Sequence, residues 1–136
     1  MTKDRKEQKT HLAICTEPFL SLMLNGKKKV ESRFSKNKIA PYEKVSKGDS
    51  VLLKRSGGGI EGFFVVQKVL FTEIKNKKDL DRLKKEYSKL ICSDIDSKFW
   101  QKRIIAKYAT FIWIGKVSIK KQIIKTTGRS GWRILK

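Results

Sequence analysis

The run "GFFVVQKVLFTEI", residues 62–74, limits the fold more than any other feature, because its β-branched and aromatic content calls for a long strand. It follows "SVLLKR" across the glycine-rich connection "SGGGIEG", residues 56–62, and the three together predict a hairpin. A second such run, "KYATFIWIGKV", residues 107–117, alternates as a strand and leads through "SIKKQIIK" to a glycine turn "TTGRSG" and a closing strand "WRILK". Shorter strand signals are "HLAIC" and the period-two segment Lys29–Phe34. Helical patterns lie between them. "EPFLSLMLNG" has Pro18 in its first turn and Gly26 just past its end, and residues 77–91 put Leu80, Leu83, Tyr87, Leu90 and Ile91 on one stripe. "SDIDSKFWQKR" adds a short helical piece anchored by Phe99 and Trp100. Strands at both ends with helices inserted predict an α+β domain whose sheet curls into a small β-barrel with flanking helices. A length of 136 residues suits one domain, residues 11–136, preceded by a flexible basic tail over residues 1–10.

Charge narrows the function. Lys and Arg number 33 against 13 Asp and Glu, a net +20, and no acid follows Asp96. Such an excess draws polyanions, since each neutralised phosphate releases condensed counterions. Membrane-surface binding would need a basic amphipathic helix with a wide apolar face, whereas the basic C-terminal segment has strand character. No apolar run is long enough to cross a bilayer, and the charged N-terminus lacks an apolar leader core, so a cytoplasmic protein without membrane contact is expected. Cys15 and Cys92 form no CxxC pattern and His11 is the lone histidine, so no metal site and no cofactor are expected. Both cysteines have apolar neighbours and read as buried thiols of a reducing compartment. The glycines of residues 56–62 match neither GxGxxG nor the phosphate-loop spacing.

Gly26, Lys28, Glu31 and Arg33 satisfy the spacing G-x-K-x-x-E-x-R, after a short apolar helix and before a "KGD" turn and a "VLL" strand. In motif and element order, residues 11–70 resemble the ASCH domain, a PUA-like barrel, and the likeness returns at "YATFIWIGKV", similar to the late strand that lines the cleft in PUA-like folds. The resemblance implies a cleft beside the first helix, proposed across the family to bind RNA or another nucleic acid. Some small members are amidohydrolases of acetylated cytidine nucleosides, and ribonuclease activity is known for others. The enzymatic members look like G-x-K-x-x-T with a further glutamate on a later strand. Here Lys28 matches the lysine, Glu31 stands in the threonine position, and Glu61 or Glu73 would be the later carboxylate.

The residues support a chemistry of their own. Glu31 and Arg33 share one strand face and Lys28 projects from the preceding turn, so the carboxylate can hold either cation in a fixed pose toward a phosphate or base edge. The plain alternative is an exposed ion pair worth about 0–1 kcal/mol. Arg55 and Ser56 enter the glycine loop as further phosphate contacts, and Trp132 between Arg129 and Arg133 offers an indole on which a base could stack. Trp100 and Trp113 read as core. The expected function is RNA binding by a monomer through Lys28, Glu31, Arg33, Arg55, Ser56, Arg129, Trp132 and Arg133. A small hydrolase with Lys28 and Glu31 as catalytic candidates is the second reading, although a carboxylate beside the lysine keeps it charged and favours binding. A basic interaction module of a ribonucleoprotein assembly is the third.

Overall fold

The computed structural model describes residues 7–124 and 130–135. Its elements are β1 (Thr10–Cys15), α1 (Phe19–Leu24), β2 (Val30–Ser35), β3 (Ser50–Arg55), β4 (Ile60–Glu73), α2 (Lys77–Tyr87), β5 (Tyr108–Gln122) and β6 (Trp132–Ile134). Two short 3₁₀ turns, Ser93–Ile95 and Gln101–Arg103, lie between α2 and β5. The six strands form one mixed sheet in the order β2, β5, β4, β3, β1, β6, with β1 parallel to β3 and the other pairs antiparallel. The sheet curls into a half-barrel, as its pattern of elements predicts. Its two edges, β2 and β6, come within reach of one side chain: Arg33 on β2 donates to the carbonyls of Gly131 beside β6 and Ile14 on β1.

Alternation along β5 explains how both sheet faces are filled. Ile112 packs with Ala13, Leu20, Met23, Leu53, Phe64 and Trp132 inside the curl. Its neighbour Phe111 points the other way, to Val30, Leu80, Leu83, Ile91, Phe99 and Trp100 beneath α2. Strands buried on both faces read as near-continuous apolar runs, which is the character of "ATFIWI". β5 runs on through Gln122, longer than the predicted 107–117, because Ile60 at the start of β4 pairs with Gln122. Pairing with β4 overrides the polar composition of "SIKKQ".

Gly115 sits where that pairing is closest. A Cβ there would lie 2.5 Å from the Val65 carbonyl oxygen and 3.1 Å from Gln67 Cγ, beside a shift in register. Gly115→Ala should therefore destabilise the domain by about 1–3 kcal/mol, read as a lower urea midpoint; an unchanged midpoint would show that the ribbon yields freely.

Both helices are shorter than their sequence patterns. Glu17 and Pro18 form the turn before α1, and the Glu17 carboxylate accepts from Ser21 N at 2.9 Å and Ser21 Oγ at 2.6 Å. α2 starts where Asn76 accepts from Asp79 N at 3.0 Å, and it stops at Tyr87, leaving Leu90 and Ile91 in the following turn. There the Leu90 carbonyl accepts from Lys29 N and Val30 N. Cys15 is buried, whereas Cys92, expected to be buried as well, is half-exposed at a left-handed φ of 59°. Trp100 is core as expected; Trp113 is only half-buried, with Lys68 Nζ 4.6 Å from its ring. Among the described residues no helix is long and apolar enough to cross a membrane.

Candidate functional site

The turn after α1 builds the site. Gly26 takes φ 82° and Lys28 N donates to the Leu22 carbonyl at 2.9 Å, reversing the chain so that the Lys28 side chain enters the protein. Lys28 is 2% exposed. Its Nζ donates to the Ile91 carbonyl at 3.1 Å, lies 3.0 Å from Glu31 Oε1 and stands 4.6 Å from the Phe19 ring centroid.

Glu31, opposite Ile112 on β5, is 5% exposed and serves both cations. Oε1 takes Lys28 and its neighbour Ser32 N at 3.0 Å, while Oε2 accepts Arg33 Nε at 3.3 Å and Nη2 at 2.9 Å. The Arg33 guanidinium continues to Gly131 O at 3.2 Å and Ile14 O at 3.0 Å, and lies 5.3 Å from the Trp132 ring. The expected spaced set is therefore one hydrogen-bonded triad of net charge +1, with Lys28 and Glu31 buried and Arg33 half-buried. Burial would raise the Glu31 pKa, but Lys28 and then Arg33 overcome it and hold the carboxyl at about 2. Burial likewise works to lower the Arg33 pKa, and Glu31 reverses this, so the net shift is upward. Cys15, against Arg33, is pushed up to about 12 by burial and by Glu31, so it stays a neutral thiol.

In front of the triad lies a cleft of about 490 Å³. Phe19, Phe34 and Phe99 line it as an aromatic wall, Thr16 and Ser32 contribute hydroxyls, and Lys102 and Arg103 stand at its side. Arg103 donates to the Phe99 carbonyl at 2.7 Å, with its guanidinium 3.5 Å from the Phe99 centroid and 5.5 Å from that of Phe34. Among the described residues it has no ion-pair partner; burial lowers its pKa, with the charge of Asp96 opposing the shift. It is thus a half-buried cation held on aromatic faces, within the field of Asp96 and Glu31 but in direct ion-pair contact with neither.

The other sequence-predicted residues lie elsewhere. Arg55 ends β3 in ion pairs with Glu17 at 2.9 Å and Glu61 at 3.4 Å, outside the cleft lining. Ser56 is exposed beside it and donates its N–H to the Cys15 carbonyl at 2.8 Å. Arg133 is half-buried opposite Leu12, and Arg129 falls outside the described residues. Trp132 corrects an expectation: at 4% exposure it is a buried plate beneath Arg33, not a face open to a base. Its indole N–H needs a partner once buried, and finds His11 Nδ1 at 3.0 Å. That bond makes Nδ1 the acceptor, so His11 Nε2–H donates to Asp49 Oδ2 at 2.8 Å. Asp49, where burial would raise the pKa, is held below its ordinary value by bonds from Lys9 N, His11 and Ser46 N.

Sequence reasoning missed Phe19, Phe34, Phe99, Lys102 and Arg103 as site residues. The signal was the "FWQKR" cluster, aromatic and basic together, which reads locally as packing. Of the two candidate later carboxylates, Glu61 pairs with Arg55 and Lys121, and Glu73 lies exposed at the end of β4 opposite Tyr108. Neither lines the cleft.

The architecture is a curled mixed half-barrel with helices packed on it and a polar cleft beside α1. The particular fold is ASCH-like. The chain is similar to the crystal structure of ASCH from Zymomonas mobilis, with TM-score 0.63 at 12% identity over 83% of this chain and 71% of that one. It is also similar to two single-residue mutant forms of that protein, each with TM-score 0.71 over 95% of this chain, at 12% and 11% identity and covering 89% and 91% of theirs. No protein-family model matches the sequence, and no curated protein matches it.

Proposed function

We propose that this chain is a nucleic-acid-binding domain that takes RNA into the cleft bounded by the Lys28–Glu31–Arg33 triad and Arg103. The observation that carries the reading is Arg103, a cation that makes no direct ion pair among the described residues, mounted on Phe99 and Phe34 beside hydroxyls of Thr16 and Ser32. Arg103 and Lys102 take phosphate, the aromatic wall takes the apolar face of a nucleotide, and the two hydroxyls suit a ribose 2′-OH, which favours RNA over DNA. The triad is a rigid back wall whose fixed donors leave a net positive potential without loose side chains. The rest of the +20 charge supplies non-specific attraction around the cleft.

The hydrolytic reading draws less support. Lys28 is committed to Glu31 and the Ile91 carbonyl, and Glu61 and Glu73 stand outside the cleft. Titration of a labelled single-stranded RNA at rising salt should show steep linear loss of log affinity against log salt, with residual binding at about 150 mM salt that unlabelled DNA of the same sequence competes poorly. No association at low salt would overturn nucleic-acid binding, and equal competition by DNA would overturn the preference for RNA.

A further inference from the structure

A second concavity lies on the opposite side of the segment that carries Arg103. It has a volume of about 840 Å³, with a floor of Ile74, Leu80 and Trp100, and it shares no lining residue with the cleft. Ile104 and Ile105 stand at its edge, each 68% exposed. Two adjacent isoleucines in water, next to an apolar floor, are an exposed patch that folding alone does not require. Around them the groove is basic: Lys36, Lys75, Lys77, Lys84 and Lys107 face a single acid, Asp81.

We propose that this groove docks an acidic segment of another protein, one that sets aliphatic side chains against Ile104, Ile105 and the Leu80 floor while its carboxylates meet the lysine rim. Charge decides among occupants. A second copy of this chain would bring five lysines against five, so self-association through this face is opposed by its own field. Nucleic acid would satisfy the lysines but leave the isoleucines without a use, and the groove lining contains no arginine for bidentate phosphate or base contact. An acidic amphipathic segment satisfies both halves of the surface at once.

The probe is a fluorescein-labelled amphipathic peptide of glutamate and leucine, with leucines at i, i+3, i+4 and i+7, set against a scrambled peptide of the same composition. The ordered peptide should bind more tightly than the scrambled one, and the double variant Ile104→Ser/Ile105→Ser should weaken it by roughly tenfold. Both isoleucines are largely exposed, so the variant should keep its unfolding midpoint, and its RNA affinity should match wild type. Equal binding of the ordered and scrambled peptides would reduce the groove to general charge and overturn the proposal. So would unchanged peptide binding by the double variant, displacement of the peptide by RNA in parallel with RNA affinity, or a concentration-dependent dimer in sedimentation that the double variant abolishes.

Discussion

Glu31→Ala should destabilise the domain by about 3–5 kcal/mol, because it leaves the buried Lys28 facing Arg33 with no carboxylate between them. Urea unfolding followed by the summed fluorescence of Trp100, Trp113 and Trp132 measures this. Lys28→Met in the Glu31→Gln background should recover part of the loss, since it removes a buried cation together with its partner, and the double-mutant cycle gives the coupling. Additive effects would mean that the two side chains act independently, contrary to the 3.0 Å contact.

The same carboxylate sets an acid limit. The folded-state pKa of Glu31 is about 2, below its ordinary 4.5, so its stabilisation is complete above about 4.5 and is lost as pH falls toward 2. At about 1.4 kcal/mol for each pH unit the full contribution is about 3–4 kcal/mol, in line with the mutational figure. The stability gap between wild type and Glu31→Gln should shrink over that window and stay flat from pH 5 to 8. A gap that is constant down to pH 2 would place the loss elsewhere than in the charge.

Arg103→Ala should reduce RNA affinity by roughly tenfold and lower the salt slope by about 1. Lys85→Ala, on the outer side of α2, should change affinity only slightly. The arginine also covers Phe99 and Phe34, so the variant costs about 0.5–1 kcal/mol of stability, too little to unfold the domain at the binding temperature. Arg103→Lys should recover the charge but not the stacked, bidentate geometry, and so fall between. Wild-type RNA affinity in Arg103→Ala would remove the cleft from the proposed function.

The motif was legible because its determinants are local. A glycine stop after a short apolar helix, followed by period-two alternation, is enough to put Lys28, Glu31 and Arg33 on one wall, and sequence distance never enters. Their burial was not legible, since it depends on Phe19 from α1 and on Ile91 from the turn after α2. Trp132 shows the same limit from the other side: flanked by Ser130, Gly131 and Arg133 it has the local signature of a surface aromatic, and only pairing of β6 with β1 turns it onto His11. Arg103 was hidden because a cation beside two aromatics reads as packing until the fold shows it lining the cleft with no direct ion pair among the described residues. The basic segment after Val117 had strand character in the sequence, but that "SIKKQ" continues β5 is set by its pairing with β4.

Arg33 reaches across the open seam of the half-barrel to Gly131, 98 residues further along the chain. During synthesis from the amino end, Lys28, Glu31 and Arg33 leave the ribosome early and can fold against α1, β5 and α2 as those arrive. The far acceptor of the guanidinium and the indole beneath it emerge last. One strand, β6, therefore completes both the core, through Trp132, and the setting of Arg33, so loosening its pairing with β1 would free one end of the guanidinium while Glu31 still held the other.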